Sequence, residues 1–271
     1  MLFNVRIAAY FHANAVFQKT MRADIAQLAA IVAHAKASRL HPEVAGNQQY
    51  WSHHSTFKYV ASIRFVTKDA SLAGKETTMT SVSEWIGSIP PLKTQAILMT
   101  SGTAFTVNYI TGPQNWSVTW SRASRFDPER PWSIEYSATR GSPGVEMDRP
   151  EVSVDGASAE LDNTLSEVDV LSGSSRVLAE WQKIIQQARA NLHSRTPEIA
   201  YHPDVLPRAG YSLASRQLLA AAFGGWVLGG MGSWNDLADA ALPASANLKS
   251  VTKRLSKSLL QDIMTAINWG C

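Results

Sequence analysis

"TFKYVASIRFVT", residues 56–67, is where the period of the chain changes. Phe57, Tyr59, Ala61, Ile63 and Phe65 alternate with Lys58, Ser62 and Arg64. Successive side chains of a strand point to opposite faces, so this pattern predicts a half-buried strand with one apolar and one polar face. N-terminal to it the period is helical. Between Asn14 and Leu40 the residues Phe17, Met21, Ile25, Leu28 and Val32 recur every three or four positions, which predicts a long amphipathic helix. His41-Pro42 and the polar "GNQQ" (46–49) end it, because proline disfavours helical geometry in the residue before it.

C-terminal to residue 67 the strand signals continue at 77–86, 95–100, 103–111, 115–122, 132–139 and 151–155. "TGPQN" (111–115) offers Gly112 and Pro113 for a hairpin turn, and connections this short force antiparallel neighbours. Three strands have an aromatic face: Phe105, Val107 and Tyr109, then Trp116, Val118 and Trp120, then Trp132, Ile134 and Tyr136. Ser117, Thr119 and Ser121 occupy the alternate positions, so one side of the sheet is apolar and the other rich in hydroxyls.

Residues 141–175 are rich in Gly, Ser, Pro and acid, the composition of a mobile or inserted segment that tolerates deletion of 142–160. Beyond it, helices are predicted at 176–193, 212–228 and 245–268, with Pro197, Pro203 and Pro207 in the link between the first two. In the last helix Leu248, Val251, Leu255, Leu259, Ile263 and Ile267 share one face, with Lys249, Lys253, Arg254 and Lys257 elsewhere. The expected fold is α+β: a central antiparallel β-meander of about six or seven strands, covered by the N-terminal helix and a C-terminal helical segment. A single domain over 1–271 is expected, in three parts: helix plus antiparallel sheet (1–140), the acidic segment (141–175) and the helical part (176–271).

With 45% hydrophobic and 17% charged residues the chain can bury a core without staples. Its one cysteine, Cys271, excludes a disulfide within the chain and any zinc site that needs cysteine pairs, and it fits a reducing, cytoplasmic setting. The start of the chain has no cleavable apolar core of the secretory kind. The longest uncharged apolar stretch, 218–234, is shorter than the ~20 residues that cross a bilayer and is diluted by glycine, so no transmembrane segment is expected. The net charge of +3 is unevenly spread. Residues 1–68 carry eight Lys/Arg against Asp24 and Glu43, whereas 141–169 carry eight acids against Arg149. Parts of one fold that mate with each other produce such an asymmetry, as does an acidic segment that imitates phosphates to a basic partner.

"GGWVLGGMGSWND" (224–236) combines five glycines with two tryptophans. Ala221, Gly225 and Gly229 lie four apart, which lets a neighbouring backbone approach that helix face closely. Gly229 and Gly230 suit a left-handed helix stop, and Ser233 followed by Asp236 matches a capping box for a short helix through Ala241. Capping accounts for the glycines but not for the polar end. Gly230, Ser233, Trp234, Asn235 and Asp236 are therefore the candidate partner-binding residues.

Catalytic motifs are absent. His53 and His54 are adjacent, so on a strand they point to opposite faces and cannot chelate one metal. His41-Pro42-Glu43 lacks the cysteine pair of a zinc deaminase, and no Gly-x-Ser-x-Gly, HExxH or GxGxxG occurs. No catalytic residue, metal ligand or cofactor is assigned. The expected function is that of a non-enzymatic cytoplasmic protein-binding protein, of the inhibitor, immunity-protein or accessory-subunit kind. The alternatives are a hydrolase using His53, His54 and Asp236, and a nucleic-acid or anionic-surface binder for which a continuous exposed Lys/Arg stripe would be the signature.

Overall fold

The computed structural model describes residues 60–69, 76–80, 84, 85, 88, 92–97, 104–109, 112–123, 127, 130, 132–140, 152–199, 206, 211–228, 234 and 247–269. The helix expected between Asn14 and Leu40 lies outside them, as do His53, His54 and Cys271. Six strands form one sheet: β1 (Val60–Asp69), β2 (Glu76–Met79), β3 (Leu92–Ile97), β4 (Ala104–Tyr109), β5 (Gly112–Arg122) and β6 (Trp132–Arg140). Their order across the sheet is β2-β1-β6-β5-β4-β3.

The expected all-antiparallel meander is corrected to a mixed sheet, because β1 and β6 run parallel, with Ile63 opposite Ile134 and Phe65 opposite Tyr136. Short loops fix the direction of consecutive strands, and the pairs β1–β2, β3–β4, β4–β5 and β5–β6 are indeed antiparallel. No loop joins β1 to β6, so nothing local dictates their sense. The seventh strand, expected at 151–155, is absent: Ser153 caps a helix there instead. The strand expected at 77–86 stops at Met79, where Thr80 N donates to Glu84 Oε2 at 2.7 Å and the chain turns helical at Glu84 and Trp85. The hairpin turn also falls earlier than "TGPQN", since Gly112 already pairs with Tyr109 and Pro113 with Asn108.

Alternation along β1 holds from Ser62 to Phe65, with Phe65 buried and Ser62 and Arg64 exposed, and gives way where Val66 and Thr67 are buried as well. A shift of register between Val60 and Ser62 breaks it, which leaves Ala61 exposed rather than on the apolar face. On the core side Phe65 stacks between Trp85 and Tyr136, at ring distances of 4.8 and 4.9 Å, and Trp116 meets both Phe65 and Trp85 edge-on. Stacked and edge-on pairs of this kind stabilise by ~1 kcal/mol each beyond their burial. On the other side the hydroxyls pair across strands: Ser62 Oγ donates to Ser133 Oγ at 2.8 Å, and the Ser117 and Ser137 hydroxyls lie 2.8 Å apart. Arg64 sits between Glu76 and Glu135 on this exposed face, where solvent screening leaves such pairs little weight.

Among the described residues four helices follow the sheet: α1 (Val154–Gly173), α2 (Ala179–Asn191), α3 (Leu213–Gly224) and α4 (Leu248–Trp269), with a 3-10 turn at Arg176–Leu178 leading into α2. Each packs on the next, and α4 closes the ring on α1. These helices chiefly bury one another; α4 also reaches the sheet, along edge strand β3. Sheet and helices share one buried apolar cluster.

α1 corrects the reading of 154–173 as part of a mobile excursion, while residues 141–151 of that segment lie outside the described residues. Ala157, Leu161, Leu165 and Val168 recur at helical spacing and are almost wholly buried, so residues 154–173 belong to the core. Composition misled because Gly156, Ser158, Ser166 and the acids lie off that stripe. Ser153 Oγ accepts from Gly156 N at 3.1 Å, satisfying a first-turn donor.

The chain leaves α2 through Asn191, whose buried side chain donates to Glu198 O at 2.9 Å and accepts from Glu198 N at 3.2 Å. One side chain thus stands in for a strand partner. Asn191→Ala is expected to cost about 1–3 kcal/mol, read as a lowered midpoint in urea with an unchanged slope.

Candidate functional site

Of the five residues assigned to partner contact, Gly230, Ser233, Asn235 and Asp236 lie outside the described residues. Trp234 is fully buried. Its backbone N donates to Val227 O at 3.1 Å and its indole Nε1 to Thr252 Oγ1 of α4 at 2.9 Å. A large, fully buried apolar ring whose single polar atom finds a partner within the fold has the environment of a core residue. The indole therefore offers no surface, which corrects the expectation for this residue.

The glycines before it act earlier than the sequence suggests. α3 ends at Gly224, with Gly225 as its cap at φ −80° and ψ 1°, so the stop involves no left-handed residue at that position. Close approach is nevertheless real. A Cβ on Gly225 would stand 3.1 Å from Leu165 Cδ2 of α1 and 3.4 Å from Leu259 Cδ2 of α4. Three helices meet so closely here that a side chain at this position would oblige its neighbours to give by a few tenths of an ångström.

The acids of α1 are largely engaged within the fold. Asp162 Oδ1 accepts from Arg189 Nε of α2 at 2.8 Å, and Asp169 Oδ2 lies 3.6 Å from the same guanidinium. The hydrogen bond that Arg189 donates to Asp162 is the main cause that raises the Arg189 pKa above its ordinary value, with burial opposing it. Gln186 Nε2 donates to Asp169 Oδ1 at 3.0 Å, and Glu167 pairs with Arg254 of α4. Acidic α1 is thus clasped between basic side chains of its two neighbours. That favours mating within the fold over imitation of phosphates.

α4 presents the clearest charged surface. Leu248, Val251, Leu255, Leu259, Ile263 and Ile267 are buried as their spacing predicts. On the outward side Lys249, Lys253 and Lys257 are exposed at steps of four residues, a row spanning ~12 Å at the helical rise of 1.5 Å per residue. Among the described residues none of the three joins an ion pair, whereas Arg254 beside them is held by Glu167. A row of hydrated ammonium groups on long stems can meet carboxylates or phosphates over a surface, but it has no means of activating a bond.

No family model, curated protein or solved structure matches the chain. Among the described residues no group of three or more His, Cys, Asp or Glu could hold a metal ion, and no helix is long and apolar enough to cross a membrane.

Asp262 is the polar residue that sequence reasoning passed over. It interrupts the apolar stripe of α4, three residues beyond Leu259 and seven beyond Leu255, and it is buried with it. An acid in register with a buried stripe is the signal that could have found it.

Proposed function

We propose that the chain is a non-catalytic binding protein, of the inhibitor, immunity-protein or accessory-subunit kind, and that an acidic partner protein docks along the outward face of α4. The observation that carries this reading is the row of Lys249, Lys253 and Lys257, exposed and in no ion pair among the described residues. Its lysines are point charges rather than forked donors, and they suit carboxylates spread over a protein surface. The neighbouring guanidinium of Arg254 is already engaged by Glu167. Three charges would neutralise few phosphates, so a nucleic acid would be held weakly by this row. Gly230, Ser233, Asn235 and Asp236, which lie outside the described residues, stay in the proposal as a second contact. A cytoplasmic setting accords with a single cysteine.

The test uses the full chain as bait in the native cell extract, beside a variant carrying Lys249→Gln, Lys253→Gln and Lys257→Gln. A stoichiometric acidic protein should be retained by the wild type at about 150 mM salt and released as salt rises, because screening weakens exposed charges. Affinity of the purified pair should fall roughly 10 to 100-fold in the triple variant, with most of the change in the association rate. The melting temperature should not move. Retention of nucleic acid alone, lost in the variant, would replace the protein reading with the anionic-polymer one. Equal retention by both baits would remove α4 from the interface.

A further inference from the structure

Asp262 lies on the buried face of α4, one turn after Ser258, with 3% of its surface exposed. Ser258 Oγ donates to its Oδ2 at 3.0 Å. Among the described residues no cation pairs with it. A carboxylate withdrawn from water with one hydroxyl for company is costly, whereas the neutral acid is not. The helices packed on α4 bring charges of their own. α1 carries Asp155, Glu160, Asp162, Glu167 and Asp169, and α3 carries Arg216; β3 adds Lys93. Asp162 and Asp169 are turned to Arg189, and Glu167 to Arg254. Glu160 acts on Asp262 and opposes a second negative charge there.

We propose that the contact between α1 and α4 is sensitive to protons: it closes around a neutral Asp262 and loosens when that carboxyl ionises. The buried acid, the charge of Glu160 across the helix pair and the lack of a described counter-ion all act in one direction. Burial is the largest cause and pushes the Asp262 carboxyl up to about 7, with the Ser258 hydrogen bond opposing and Glu160 adding. When α4 lifts away, the carboxyl returns toward its ordinary value of 3.8. Between those values the open form holds fewer protons than the closed one. Stability of the contact is therefore greatest in acid, falls as pH rises from about 4 to about 7, and is level above that.

Hydrogen exchange of the α4 amides tests this in the full chain. Between about pH 5.5 and 8.5, after correction for intrinsic rates, protection over residues 255–267 should fall about thirtyfold in the wild type. Asp262→Asn, which cannot ionise, should show no such fall. Glu160→Gln, at an exposed position, should keep the fold and shift the transition to lower pH. Level protection in the wild type, or an equal fall in Asp262→Asn, would overturn the proposal. If Asp262→Asn does not fold, Glu160→Gln decides, and an unmoved transition sinks the idea.

Discussion

Trp234→Ala is expected to lower the melting temperature by about 6–20 °C. Removing a fully buried tryptophan costs about 3–5 kcal/mol through lost burial and the cavity left behind, and each kcal/mol moves the midpoint of a chain this size by about 2–4 °C. The indole also carries the bond from Nε1 to Thr252 Oγ1. Thr252→Val should therefore cost about 1–3 kcal/mol, because it leaves the buried N–H without its acceptor. Calorimetry on the two variants, with urea titration for the slope, measures both. An unchanged midpoint in Trp234→Ala would show that the ring is not packed as described and would restore it to the surface that its neighbours Asn235 and Asp236 were read to form.

Deleting residues 154–160 should abolish cooperative unfolding altogether. The deletion removes the first two turns of α1 with buried Ala157, and with them the Gly156 N–H that the Ser153 cap serves. Leu161 and Leu165, both fully buried, would lose the helix that aims them between α2 and α4. A helix this short of turns cannot hold itself without packing, and the packing needs the turns. Near-ultraviolet circular dichroism should lose its bands, and the denaturant transition should broaden. Ser153→Ala provides the mild counterpart, at about 1 kcal/mol. A sharp transition in the deletion, close to that of the wild type, would return this region to the status of an excursion.

Local pattern made most of the elements legible. Alternation along 62–65 and 115–121 placed β1 and β5, and four-residue spacing from Leu248 to Ile267 placed α4 with its buried and basic faces. Where the reading failed, two signals competed. At 141–175 a composition of Gly, Ser and acid outweighed the quieter spacing of Ala157, Leu161, Leu165 and Val168, and the spacing was the better guide because packing follows a face rather than an average. At 224–236 glycine geometry drew attention to the polar end and away from Trp234, whose burial depends on Thr252, eighteen residues further on.

By itself the sequence determined the two periods, the polar and apolar faces they create, the basic row on α4 and the impossibility of an internal disulfide. Each of these follows from residues within a few positions of one another, or from a count. The tertiary structure alone decided that β1 and β6 run parallel, that Asp162, Asp169 and Glu167 of α1 pair with Arg189 and Arg254, and that Asp262 sits in a buried interface. Those outcomes join residues some 20 to 90 positions apart or depend on which helix covers which face. No short-range rule reaches that far, because direction, charge pairing and desolvation are properties of what a segment packs against.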